Sequence, residues 1–276
     1  MHPISPRTKL YCVIGQPLSH SLSPLMHNRA FEVTGQDAIY MAFPQTEESL
    51  PGFFAGFRSL PIMGCNITLP FKVPAMKYVD GVSERARRVG SINTVYWRDG
   101  KLLGENTDVD GFAVPLRGRK FEHALILGAG GVSRAAIVAL QELGVPKISL
   151  TNRTFAKAQV MAEEFGIECV PWEQRAETGC DLVVNATSLG MKGAMENMSP
   201  CPEGFFHGRA GLAYDIIYTP EKTVFLKQAE EAGWEVQTGV TMFVEQGRAS
   251  FRLWTGIPMP AEEACDAVRG ALAARG

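Results

Sequence analysis

Leu127-Gly128-Ala129-Gly130-Gly131-Val132-Ser133-Arg134 follows a strand-like run at residues 123–127 and opens a helical pattern that continues to residue 143. A glycine cluster between a strand and a helix is the context that a dinucleotide fingerprint requires. Gly128 would make the tight turn, and Gly130 would let backbone N–H groups approach a pyrophosphate. The helix start beyond Gly131, through Ala129, Val132 and Ser133, would offer unpaired donors and partial positive charge to the phosphates. Ser133 stands where a third small residue is wanted for close helix–strand packing.

Outward from this stretch the pattern repeats. Residues 147–151 read as a strand, 155–165 as a helix, 181–185 as a strand, and 212–215 and 235–237 as later strands of one sheet. That alternation predicts an open, doubly wound α/β domain. The second strand ends Thr151-Asn152-Arg153-Thr154 and carries no carboxylate. An Asp or Glu there would bond the ribose 2′-hydroxyl of NAD. A guanidinium instead pairs with a 2′-phosphate through charge-assisted hydrogen bonds, so Arg153 predicts NADP(H).

The first hundred residues also alternate strands (9–14, 38–43, 64–69) with helices, and predict a mostly parallel α/β sheet. Ser23-Pro24 predicts a helix start with Ser23 as the cap. Arg98-Asp99-Gly100 predicts a hairpin turn between residues 92–97 and 101–103. Short polar clusters sit at the strand ends: Gly15-Gln16-Pro17-Leu18-Ser19-His20-Ser21-Leu22-Ser23-Pro24, Asn66-Ile67-Thr68-Leu69-Pro70-Phe71-Lys72, Gly90-Ser91-Ile92-Asn93-Thr94 and Gly104-Glu105-Asn106-Thr107-Asp108. Each alone is ordinary turn and cap chemistry.

Together, and in this order, the clusters resemble the shikimate dehydrogenase family. The resemblance continues through Gly128-Ala129-Gly130-Gly131, Asn152-Arg153-Thr154, Asn185-Ala186-Thr187-Ser188, Tyr214-Asp215 with Tyr218, and residues 239–246. It implies an α/β substrate domain at residues 1–105, with helices from residues 238–276 packing back on it. A Rossmann NADP-binding domain at 106–237 would face it across a cleft. It further implies that Lys72 and Asp108 form the catalytic pair, and leaves open which of them carries the proton. Ser21, Ser23 and Tyr218 would hold the substrate carboxylate, and Asn66, Thr68, Asn93, Asp108 and Gln246 the ring hydroxyls. Asn152, Arg153, Thr154, Thr187, Ser188, Gly239 and Met242 would join the glycine loop around NADP(H).

The implied chemistry suits these residue types. Shikimate is a small cyclic acid with three hydroxyls, so its site needs many hydrogen-bonding groups, which also reject analogues lacking a hydroxyl. Reduction of the ketone needs a hydride and a proton for the developing alkoxide, and a lysine can supply a proton or stabilise an oxyanion. A dual quinate/shikimate dehydrogenase is the alternative enzyme. The Ser21-Leu22-Ser23 pair favours shikimate over quinate, and Arg153 disfavours NAD. A non-catalytic ligand-sensing module is a third reading, disfavoured because Lys72 and Asp108 are both present and no DNA-binding segment is evident.

Composition narrows the partners. In 276 residues, 27 basic and 29 acidic side chains leave a net charge of −2 with no block of one sign, so neither a nucleic-acid stripe nor a polybasic membrane patch is expected. The six cysteines form no C-x-x-C pair, and no histidine has a neighbour at ligand spacing, so no metal is expected. The start of the chain lacks a secretory apolar stretch, and the protein is expected to be cytoplasmic, as a monomer or homodimer. His20 and the methionines at 191, 195 and 198 are read as structural.

Overall fold

The computed structural model describes residues 4–274. The chain divides into two compact units. One runs up to Asp108 and also takes Val244–Ala274, and the other is Val109–Phe243.

The first unit holds six strands: β1 (Lys9–Gly15), β2 (Ala38–Pro44), β3 (Ile62–Ile67), β4 (Gly81–Val82), β5 (Thr94–Arg98) and β6 (Lys101–Glu105). Their order across the sheet is β2-β1-β3-β5-β6-β4. β1 is apolar and buried from Tyr11 to Gly15, as befits a strand covered on both faces. Helices α1 (Ser23–Val33), α2 (Leu50–Ser59) and α3 (Glu84–Val89) belong to this unit. One side of the core gathers Ile14, Phe54, Phe57, Ile67 and Val95.

The sheet is mostly parallel, as expected: β1–β2, β1–β3 and β4–β6 are parallel, and β3–β5 and β5–β6 are antiparallel. The two-residue turn at Asp99 and Gly100, both left-handed, leaves β6 no length for the crossover that a parallel neighbour needs. One expectation needs correction: Ser23 is not the cap of α1. Leu22 occupies that place, and Ser23 and Pro24 begin the helix. Proline is tolerated there because first-turn amides have no intrahelical acceptor anyway.

The second unit holds β7 (His123–Leu127), β8 (Lys147–Thr151), β9 (Glu168–Cys169), β10 (Leu182–Asn185), β11 (Leu212–Asp215) and β12 (Glu235–Gln237). All neighbours are parallel, in the order β12-β11-β10-β7-β8-β9. This is the doubly wound dinucleotide-binding order, with its switch point between β7 and β10. Helix α4 (Asp108–Ala113) leads in from the first unit. Helices α5 (Gly131–Glu142), α6 (Phe155–Phe165) and α7 (Val224–Glu231) follow strands of this sheet. Helix α8 (Gly239–Thr255) begins in this unit and continues into the first, where α9 (Ala261–Ala273) packs on α1.

Candidate active site

In the first unit, β3, β5 and the start of α4 carry polar side chains that meet in a buried network. Lys72 follows β3, and Ile92 N–H holds its carbonyl at 3.0 Å. Lys72 Nζ lies 2.5 Å from Asp108 Oδ2, with the lysine side chain 23% and the aspartate side chain 12% exposed. Asn93 Nδ2 donates to the other carboxylate oxygen at 2.8 Å. Asn93 can present only its nitrogen there, because its Oδ1 receives Thr107 N–H (2.7 Å) and the Thr94 and Thr107 hydroxyls (3.0 and 3.1 Å). The donor order of the network therefore ends on Asp108.

Asn66 is buried beside this group. It donates to Thr94 Oγ1 (3.1 Å) and to Ser250 Oγ on α8 (2.9 Å), and it accepts from Tyr40 Oη at 2.7 Å. Tyr40 also shares a hydrogen bond with Ser23, and burial raises its pKa well above the usual phenol value, so it stays a neutral donor. Ser23 is buried and Ser21 partly exposed, with Ser23 N–H 3.4 Å from Ser21 Oγ. Thr68 and Gln246 are partly exposed. Tyr40, Thr94, Thr107 and Ser250 escaped the sequence reading. Tyr40 looks like any strand aromatic, and Ser250 lies 184 residues from Asn66. His20 is exposed.

In the second unit the glycine loop joins β7 to α5. Gly128 has φ +109°, and a Cβ on it would lie 2.8 Å from Ala186 O across the switch point, so only glycine fits. Ser133 does more than leave room for packing. Its Oγ donates to Gly128 O (2.7 Å) and accepts from Gly130 N–H (3.2 Å), closing the loop on itself. Around Gly130 and Gly131 a Cβ would meet nothing within 4 Å, so the start of α5 is open. Its first-turn amides are the donors a pyrophosphate takes.

At the end of β8, Asn152 Oδ1 accepts from Ala129 N–H at 3.3 Å, tying the second strand's loop to the glycine loop. Arg153 and Thr154 are exposed, and among the described residues Arg153 has no ion-pair or hydrogen-bond partner. Lys157, one helical turn further on, is also exposed and lines a pocket of about 380 Å³ with Ala129 and Arg134. It is a second cation that the sequence reading missed, although its place in the first turn of α6, four residues after Arg153, was visible. The open amides and unpaired cations fit a 2′-phosphorylated dinucleotide.

Thr187 and Ser188 follow β10, and Tyr218 follows β11 with its ring 4.8 Å from that of Phe243. Gly239 and Met242 lie in the first turn of α8, where both are buried. The methionines at 191, 195 and 198 are 48, 39 and 49% exposed, so they are not packing residues as expected.

Comparisons with known proteins agree with this arrangement. Residues 13–95 match the shikimate dehydrogenase substrate binding domain, 116–191 the shikimate/quinate 5-dehydrogenase family, and 239–269 the shikimate 5′-dehydrogenase C-terminal domain. The shikimate dehydrogenase (NADP+) of Oleidesulfovibrio alaskensis is 46% identical over 98% of both chains. The chain belongs to the shikimate dehydrogenase family. Within that family, the shikimate 5-dehydrogenase of Thermus thermophilus, solved in complex with NADP(H) and shikimate, is 40% identical with a TM-score of 0.88. The match covers 95% of this chain and 99% of that one. The quinate dehydrogenase of Corynebacterium glutamicum, solved with NAD, is 29% identical with a TM-score of 0.88 over 95% and 99% of the two chains. Both expected α/β units of the family are present, the second with Rossmann strand order. No helix of the described residues is long and apolar enough to cross a membrane.

Proposed function

We propose that this protein catalyses the reversible NADPH-dependent reduction of 3-dehydroshikimate to shikimate. The Lys72–Asp108–Asn93 cluster carries the reading, in a chain whose nearly full-length relatives are NADP+ shikimate dehydrogenases. When bound, NADPH supplies the hydride. Lys72 presents its ammonium to the developing alkoxide, which it stabilises and can protonate. Asp108 holds the ammonium in place and accepts a hydrogen bond from a substrate hydroxyl. Asn66, Thr68, Asn93 and Gln246 position the ring hydroxyls, while Ser21, Ser23 and Tyr218 donate to the carboxylate.

For the cofactor, the amides at the start of α5, with Gly128, Ala129, Gly130, Gly131, Val132 and Ser133, take the pyrophosphate. Asn152, Arg153 and Thr154 take the adenosine 2′-phosphate, with Thr187, Ser188, Gly239 and Met242 toward the nicotinamide side. The cofactor is thus assigned to residues of the second unit, in a cytoplasmic enzyme.

The test follows the nicotinamide absorbance band with shikimate and quinate, each against NADP and NAD, with Lys72→Ala as control. Turnover confined to shikimate with NADP, and lost in the variant, is the expected result. Equal rates with quinate and NAD would place the protein with dehydrogenases of dual specificity. No turnover in protein that still binds NADPH would favour a ligand-sensing role.

A further inference from the structure

Asp215 is the last residue of β11, fully buried, and no step of the proposed reaction uses it. Its carboxylate has three donor groups around it. Ile217 N–H lies 2.9 Å from Oδ1, Thr223 Oγ lies 2.6 Å from Oδ2, and Asn185 Nδ2 bridges both oxygens at 3.2 and 3.1 Å. Burial pushes its pKa up to about 6, so the carboxylate is the form present at pH 8.

An ionised carboxylate only accepts, and this fixes the direction of every neighbouring group. Asn185, its register partner at the end of β10, must turn its nitrogen to Asp215. Its Oδ1 then faces Thr187 and takes both the N–H (3.0 Å) and the hydroxyl (2.7 Å) of that residue. Thr187 Oγ1 in turn accepts from Leu189 N–H at 3.1 Å. On the other side, Thr223 donates to Asp215 while its oxygen caps α7 by accepting from Leu226 N–H at 3.4 Å. Residues 216–222 are thereby tied at both ends to one carboxylate. Their start is tightly enclosed: a Cβ on Gly239 would lie 2.5 Å from both Ile216 O and Ile217 O.

We propose that Asp215 is a positioning residue: through Asn185 and Thr223, its carboxylate sets Thr187 and the 216–222 segment that carries Tyr218 in the geometry that cofactor and substrate require. The inference rests on the proposed activity for the roles of Thr187 and Tyr218. It adds a residue that touches neither ligand, yet governs the segments after both strands. A residue needed only for folding would lower stability and leave the ligand constants of the folded enzyme unchanged.

The experiment compares Asp215→Asn, Thr223→Val and Thr223→Ser with the wild type at pH 8, well below each melting temperature. Asp215→Asn keeps the shape but turns one acceptor into a donor facing other donors. It is expected to weaken NADPH binding, read by cofactor fluorescence, and to raise KM for shikimate, each on the order of tenfold. Thr223→Val is expected to raise KM for shikimate, and Thr223→Ser to restore it. A folded Asp215→Asn enzyme with both constants within twofold of wild type overturns the proposal. If Asp215→Asn does not fold, the Thr223 pair decides: equal KM in Val and Ser variants overturns it as well. Absence of shikimate turnover in the wild type would instead remove the proposed activity, and the NADPH affinity of Asp215→Asn would still test the role of Asp215.

Discussion

Lys72 Nζ and Asp108 Oδ2 lie 2.5 Å apart, and the second oxygen of the same carboxylate is held by Asn93 Nδ2 at 2.8 Å. Asp108 is thus clamped from two sides by donors on different segments of the first unit. Such a clamp keeps an ammonium aimed at one place, which a solvated surface pair would not do.

Removal of the ammonium should therefore cost rate more than binding. Lys72→Ala is expected to lower kcat by roughly 10²–10⁴-fold, the range for loss of a positioned acid or oxyanion stabiliser. Its melting temperature should stay near wild type, because the pair is partly exposed. Steady-state kinetics and thermal melts check this, and a kcat within threefold of wild type would count against the assignment.

Arg153 should decide the cofactor. Loss of its guanidinium removes charge-assisted bonds worth about 1.5–3 kcal/mol, so Arg153→Ala should raise KM for NADP by roughly 10–100-fold. KM for NAD should hardly move. Lys157→Ala, which removes the neighbouring exposed cation, is expected to act in the same direction more weakly. If both cofactors were affected alike, the 2′-phosphate would not be what Arg153 meets.

Tyr40→Phe deletes the hydroxyl that donates to Asn66 Oδ1 at 2.7 Å, within a fully buried site. Leaving that acceptor unsatisfied should destabilise the fold by about 1–3 kcal/mol. Because Asn66 then loses the partner of its oxygen and keeps only those of its nitrogen, KM for shikimate should rise with little change in KM for NADP. Chemical denaturation and the two KM values test both halves, and a variant with unchanged KM for shikimate would show that Asn66 is held without Tyr40.

His27 gives the fold a pH dependence. The ring is fully buried, stacks on Tyr40 at 4.4 Å, and neither nitrogen has a hydrogen-bond partner among the described residues. Burial lowers its pKa from 6.5 to about 3. The unfolded chain therefore takes up this proton first, and stability present above pH 6.5 is lost as pH falls toward 3, by up to about 5 kcal/mol. Asp215, pushed up to about 6 from 3.8, acts oppositely, with stability lost as pH rises through that window. His27→Leu retains Asp215, so comparing the two proteins isolates the histidine. The variant should match wild type within about 1 kcal/mol at pH 7 and exceed it at about pH 4.5. Parallel stability curves across that range would remove His27 from the account.

Much of the second unit was legible in the sequence. β7, β8, β11 and β12 lie at the residues the sequence pattern predicts, and β7 and β8 are bounded by glycine, proline or polar turn residues. β4 and β9, of two residues each, carry no periodicity that a reading could find. The mostly parallel sheet of the first unit was legible as a class, and so was the hairpin that makes β5 and β6 antiparallel. Alternation of strands and helices reports class, but pairing direction depends on which strands become neighbours.

By itself the sequence determined the glycine loop between strand and helix, an arginine in place of a carboxylate after the second strand, and the polar motifs that mark the family. These are local properties: a glycine at φ +109° acts through its own backbone, and the residue type after a strand is read directly from the chain. Only the tertiary structure decided that Tyr40 and Ser250 hold Asn66, that Asn93 must point its nitrogen at Asp108, and that Asp215 fixes the direction in which Asn185 meets Thr187. Those facts follow from counting donors and acceptors in a buried network, and the count exists only after residues up to 184 positions apart have been brought together.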